Sequence, residues 1–130
     1  YVKQIFPETK IIGVEPEGAR GMSDSLNLGK PLDNIKVNTI ADSLSAPLHM
    51  KYSFDVAKEN IDEMITVSDE EMKKYMLFAF DNLKLMLEPA CVAGLAAVKN
   101  KLRNKLKNKN SLVILCGSNI DKMSWNELTN

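Results

Sequence analysis

The chain has 130 residues, 45% of them hydrophobic and 26% charged, and its 17 basic residues balance 17 acidic ones. That composition reads as a single soluble globular domain with no net field to draw nucleic acid or a membrane surface. No apolar stretch approaches the roughly 20 residues that a spanning helix needs, and no signal peptide is visible.

Tyr1-Val2-Lys3-Gln4-Ile5-Phe6 opens without a methionine, partway through a helix, so an upstream segment is expected. Lys10 to Glu15 reads as a short buried strand between the turn signals Pro7 and Pro16. Gly18 to Leu28 is an amphipathic helix closed by Gly29 and Pro31. Lys30 to Ala46 is mostly loop, Pro47 to Asn60 helix, and Met64 to Val67 a second strand. Ser68-Asp69-Glu70-Glu71 has the form of a capping box. The helix it starts runs to about Leu87, with Met72, Tyr75, Met76, Ala79, Phe80 and Leu83 on one face. Pro89 suits the first turn of a further helix that extends to about Leu106. Leu112 to Leu115 is a third strand, and Ser124 begins a short last helix. Strand and helix alternate, which predicts an α/β fold with an open, twisted, mostly parallel sheet flanked by helices.

The apolar run Leu112-Val113-Ile114-Leu115 stops abruptly in Cys116-Gly117-Ser118-Asn119. Ligands of open α/β sheets bind just beyond the carboxyl ends of strands, so this small polar cluster is the first candidate binding loop. Cys116 is either a small buried hydrophobe or a weak hydrogen-bond donor at the sheet edge. Cys91 and Cys116, far apart in sequence and in apolar segments, read as buried thiols of a reducing compartment, not as a disulfide framework. Glu88 sits at a helix N-terminus, as a plain cap or as a functional carboxylate. The small residues Ala90, Cys91, Ala93, Gly94, Ala96 and Ala97 read first as tight helix packing. Glu15 is either a polar strand end or a hard-cation ligand. Lys99 to Lys109 holds six basic residues and no acid, and it reads as a solvated helix end. With one histidine, His49, there is no triad and no zinc cluster, and no Walker A or Gly-x-Gly-x-x-Gly loop appears.

Four ordered segments resemble the serine/threonine dehydratase family of pyridoxal-phosphate enzymes, which includes serine racemase. They are Val14-Glu15-Pro16, Thr39-Ile40-Ala41-Asp42, Lys84-Leu85-Met86-Leu87-Glu88-Pro89-Ala90 and Leu115-Cys116-Gly117-Ser118-Asn119-Ile120. The resemblance implies fold type II, with residues 1–130 forming the C-terminal portion of the large, cofactor-binding domain. The cofactor lysine and the glycine-rich phosphate loop would then lie upstream, and the chain alone is expected to be inactive. Within that family Cys116 matches the position facing the pyridine nitrogen of pyridoxal 5'-phosphate. Gly117, Ser43 and Glu88 fall at further positions beside the cofactor, Ser43 standing where most members carry Gly. Glu15 and Ala19 match two positions of a divalent or monovalent cation site, whose third, usually acidic, position is Gly21 here. The implied reaction is elimination of the β-hydroxyl of threonine or serine to a 2-oxo acid and ammonia. The implied partners are a small hydroxy amino acid, the missing N-terminal half and further copies of the enzyme, in the cytoplasm, with no nucleic acid and no membrane. A non-catalytic interaction or regulatory module keeping the same fold, or a member of the serine racemase branch, is the alternative.

Overall fold

The computed structural model describes residues 1–130 throughout. After a single helical turn, α1 (Val2–Ile5), the chain enters strand β1 (Ile12–Pro16), which pairs in parallel with β2 (Glu63–Val67). Ile12 lies opposite Glu63 and Pro16 opposite Val67. A parallel pair needs a long crossover. Here the crossover carries α2 (Gly21–Leu28), a 3-10 turn at Asp42–Leu44 and α3 (Lys51–Asn60). Gly13 faces Met64 in the register, and the thioether fills the space a side chain at Gly13 would need. Pro16, which cannot donate to a ladder, ends β1.

Ser68 caps α4 (Asp69–Leu83) through the full capping box: its Oγ accepts the Glu71 N–H at 3.1 Å, and the Glu71 carboxylate accepts the Ser68 N–H at 2.9 Å. The helix buries Met72, Tyr75, Met76 and Ala79, as its periodicity predicts, while Phe80 and Leu83 remain half-exposed. It stops at Lys84, which turns left-handed (φ 58°), four residues before Glu88. Helix α5 (Pro89–Asn100) packs on α4 and on both strands. Its Ala93, Ala96 and Ala97 are buried, so the small side chains do what tight packing asks of them. Tyr75 donates to Asn100 Oδ1, and Asn100 Nδ2 donates to Glu71, which joins the far end of α5 to the start of α4. The last helix, α6 (Lys122–Thr129), is capped by Asp121 and docks through Trp125 on Phe80, ring centroids 5.1 Å apart.

Two expectations are corrected. Helix α5 ends at Asn100, and residues 101–109 form turns. Lys101, Lys105 and Lys109, like Arg103 and Lys107, stand four apart, a spacing at which like charges destabilise a helix. Leu112 to Leu115 is extended but belongs to no sheet, which therefore has two strands. Its side chains still alternate: Val113 and Leu115 turn inward, while Leu112 and Ile114 are 91% and 74% exposed. The segment has the side-chain period of a strand without a neighbour to complete its ladder.

Candidate cofactor site

The loop between α2 and α3 is pinned at the carboxyl end of the sheet. Asp69, two residues beyond β2, accepts the Thr39 hydroxyl at 2.5 Å and the Ile40 N–H at 3.1 Å. Ala41 is thereby sunk in the core and Ser43 is held up at the surface of the 3-10 turn. From there the Ser43 hydroxyl donates to Glu88 Oε1 at 3.0 Å. Glu88 is the N-cap residue of α5, yet its carboxylate caps nothing; it reaches sideways to Ser43 instead. Of the two readings open to Glu88, the geometry supports the one in which the carboxylate serves something beyond its own helix.

The extended segment runs antiparallel to α5. Val113 lies against Gly94, Cys116 against Cys91 and Gly117 against Glu88. The Glu88 N–H points at the Gly117 carbonyl at 3.4 Å. A Cβ on Gly117 would stand 3.1 Å from Glu88 Oε1 and 3.1 Å from Cys91 Sγ, so any larger residue would have to push these neighbours aside by a few tenths of an ångström. Ser43, Glu88, Cys116 and Gly117 thus form one cluster from three separate parts of the chain.

Cys116 is exposed, which corrects the expectation of two buried thiols; Cys91 alone is buried. The stretch around Cys116 has no ladder to cover it, so its sulfur meets solvent at the cluster's surface. Cys91 Sγ donates to Cys116 Sγ at 3.8 Å. Burial pushes the Cys91 thiol up to about 11, helped by Cys116 and by the negative charge of Glu88. Cys91 therefore keeps its proton at neutral pH and can donate it in a hydrogen bond to the Cys116 sulfur. Sequence reasoning missed this role of Cys91. The signal was its spacing of three from Glu88, which puts both on one face of the first turn.

Glu15 lies apart from this cluster. Its carboxylate accepts the N–H groups of Met22 and Ser23 at 2.7 and 2.9 Å and the Ser23 hydroxyl at 2.7 Å, at the start of α2. Ala19 is buried beside it, and Gly21 faces His49, whose Nε2 a Cβ there would meet at 2.7 Å. No group of three or more His, Cys, Asp and Glu side chains is gathered anywhere in a form that could hold a metal. The Lys99–Lys109 run lines an open groove through Lys99, Asn100, Arg103, Asn104 and Lys107, with no apolar residue in it.

The donor set of the cluster suits a flat heteroaromatic ligand. It offers an exposed thiol, a hydroxyl and a carboxylate within one small patch. Comparison with known proteins bears on the same point. The family described as pyridoxal-phosphate dependent enzyme matches residues 1–117. Phenylserine dehydratase of Ralstonia pickettii is 42% identical over 95% of the chain, which spans 38% of that protein. L-threonine ammonia-lyase of Thermotoga maritima is 34% identical over 92% of the chain, here 29% of the relative. Among solved structures, the processed form of threonine deaminase isoform 2 from Solanum lycopersicum superposes with a TM-score of 0.87 at 35% identity, covering 98% of this chain and 36% of that one. Serine racemase from Dictyostelium discoideum superposes at 0.81 with 32% identity, over 92% and 38%. The chain therefore spans between about a quarter and two fifths of the relatives it matches. On the strength of a family match over residues 1–117 and of this shared fold type II architecture, the chain belongs to the pyridoxal-phosphate dependent enzymes.

Proposed function

We propose that the chain is the C-terminal portion of the large domain of a threonine or serine dehydratase (ammonia-lyase), and that it forms one wall of the cofactor cleft. The observation that carries this is the convergence of Ser43, Glu88, Cys116 and Gly117 around a glycine that no other residue could replace without moving its neighbours. In this reading the Schiff-base lysine and the phosphate loop lie in the remaining length of the protein, upstream. The assembled enzyme is a homo-oligomer, and its free thiols suit the cytoplasm.

When bound, pyridoxal 5'-phosphate supplies the electron sink for chemistry at the α-carbon of an amino acid. The residues of this chain set the ring's surroundings. Cys116 would be the partner of the ring nitrogen, with Cys91 positioned to orient it by donating to its sulfur. A thiol is a weak donor and cannot hold a full proton on a ring nitrogen as a carboxylate would. Beside such a donor the ring nitrogen would be left neutral, and Cys116 would in that way favour prompt loss of a β-hydroxyl. Gly117 lets the loop close on Cys91 and Glu88, which would set Cys116 at the cleft wall. Glu88, fixed by Ser43, holds a negative charge at the cleft wall.

The test is to co-express the chain with an upstream segment taken from a curated relative and to supply pyridoxal phosphate. Cofactor retention through gel filtration and 2-oxo acid formed from threonine or serine support the reading. A folded complex that retains no cofactor refutes it. Replacing Cys116 with Asp shifts the ratio of elimination to transamination in the same assay; an unchanged ratio removes Cys116 from the ring nitrogen. We read Glu15, with its three donors, as the brace of α2 first. The cation site at Glu15 and the Ala19 carbonyl remains the second reading, tested by calcium or potassium in thermal melts.

A further inference from the structure

The two thiols of the cluster are also close enough to react with one another. We propose that Cys91 and Cys116 form a reversible disulfide when the protein meets hydrogen peroxide, making this thiol pair a modification site that takes Cys116 out of the cleft. Its effect on the cofactor rests on the function proposed above; the formation of the bond does not.

The two sulfurs are 3.8 Å apart, and both are free. A disulfide needs about 2.05 Å, so the gap to close is about 1.8 Å. One side is fixed: Cys91 is buried in the first turn of α5, against the core. The other side can give. Cys116 lies in the extended segment that no ladder holds, where the 3.4 Å contact from Glu88 N–H to the Gly117 carbonyl is the nearest backbone tether. Gly117 has no side chain to wedge between the sulfurs, although its own Cβ position is only 3.1 Å from Cys91 Sγ.

The two thiols differ in reach, which orders the steps. Cys116 is exposed and meets the oxidant first. Its sulfur attacks peroxide, the O–O bond breaks, an S–O bond forms, and water leaves with the thiol proton, giving a sulfenic acid. Cys91 sulfur then attacks Cys116 sulfur. The S–O bond breaks, the S–S bond forms, and the departing hydroxide takes the Cys91 proton as a second water. The dithiol loses two electrons and peroxide gains them. Burial keeps the oxidant away from Cys91, which leaves it the resolving thiol, and its raised pKa makes this second step the slow one.

The experiment treats the purified chain with one equivalent of hydrogen peroxide, blocks remaining thiols with iodoacetamide and maps peptides without reduction. The expected result is a Cys91–Cys116 linked peptide in most of the chain, an intact mass lower by two hydrogens, and full reversal by dithiothreitol. Cys91→Ala, a change to the residue type already dominant on this helix, then leaves a sulfenic acid at Cys116 that dimedone captures. In urea the linked yield falls several-fold, because the pairing depends on the fold. Overoxidation of Cys116 with Cys91 still reduced, a link between two chains, or an equal yield in urea overturns the proposal. A mapped link that leaves pyridoxal phosphate affinity of the assembled protein untouched would sink the cofactor reading and spare the disulfide; an absent link sinks the disulfide whatever the cofactor does.

Discussion

Gly117→Ala is the sharpest probe of the cluster. The new Cβ would stand 3.1 Å from Glu88 Oε1, 3.1 Å from Cys91 Sγ and 3.3 Å from Glu88 Cδ. Comfortable contacts between such atoms lie near 3.5 Å or more, so each neighbour must yield by about 0.4 Å. The Ser43 hydroxyl holds Glu88 Oε1 at 3.0 Å, and a displacement of that size carries the bond toward the limit beyond which it ceases to count. Overpacking costs about 1–3 kcal/mol, and the loosely tied loop puts this case near about 1 kcal/mol, worth roughly 4 °C in melting temperature for a domain of this size. The larger effect falls on the site, where cofactor retention in the assembled protein drops because carboxylate and thiol are both moved. Gly94→Ala is the control. Its Cβ meets only Val113 Cγ1, at 3.2 Å, a single overlap on a loosely tied segment that the gain of about 1 kcal/mol for alanine over glycine inside a helix offsets, so this variant melts close to the parent. Scanning calorimetry and a cofactor-retention assay read both. If Gly117→Ala melts and retains cofactor like the parent, the close approach does not exist. If Gly94→Ala falls as far, the effect belongs to the fold and not to the cluster.

Other perturbations bear on the frame around the site. Glu71 is partly buried, which opposes its ionisation, but the Ser68 N–H, the Asn100 amide and the Lys101 ammonium outweigh that and hold its carboxyl below the ordinary 4.5. A carboxyl lowered by folding stabilises the protein above its unfolded pKa and loses that contribution as pH falls through the folded value. Acid titration followed by circular dichroism should therefore show stability falling below about pH 4.5, with Glu71→Gln flattening that limb; an unchanged limb refutes the coupling. Glu15→Ala strips three hydrogen bonds from the start of α2 and costs about 1–2 kcal/mol by thermal melt, while millimolar calcium leaves the melt of the parent unmoved. A clear rise with calcium would revive the cation at Glu15. Asp69→Ala frees the Thr39 and Ile40 donors, and hydrogen exchange should quicken across residues 39–45 before it quickens in α4; uniform exchange would show that the loop is held by something else. Leu112→Lys with Ile114→Lys reduces light scattering by the isolated chain at little cost in melting temperature, since both side chains are already in solvent; a large loss of stability would mean they are buried after all.

The elements were legible wherever the signal is local. Ser68 to Glu71 announced a helix start that both hydrogen bonds of the capping box confirm, and the period of Met72, Tyr75, Met76 and Ala79 gave the buried face of α4. Glu88-Pro89 gave the start of α5. What the sequence could not carry was long-range. The side-chain alternation of Leu112 to Leu115 is that of a strand, but a strand exists only with a neighbour, and no local pattern says whether one is present. The end of α5 turned on the mutual repulsion of lysines four apart, against which the apolar Leu102 and Leu106 argue the other way. The meeting of Ser43, Glu88 and Gly117 was reached through resemblance to a family; periodicity would not have joined residues 43, 88 and 117. The resemblance turned Cys116 toward a cleft where composition had buried it, but its contact with Cys91 depends on the path of the last segment, which neither route foresaw.

That path also explains why one short stretch is buried on one side and open on the other. Residues 112–117 lie along α5 because its small side chains let a second backbone come near, with Val113 over Gly94 and Gly117 over Glu88. The inward residues, Val113 and Leu115, secure the stretch by burial. The outward ones, Leu112 and Ile114, offer an apolar face beside a backbone that pairs with no strand, an arrangement that sheet proteins ordinarily cover. Burying those two side chains would return about 1.5–3 kcal/mol each, enough to give a strand laid beside them a strong claim on the position. Such a strand would stiffen the segment, fix the height of Cys116 at its end and oppose the movement that brings its sulfur to Cys91. Covering this edge should therefore slow peroxide linkage of the two thiols, so the rate of that linkage, compared between the chain alone and its co-expressed complex, reports directly on whether the sheet has been completed.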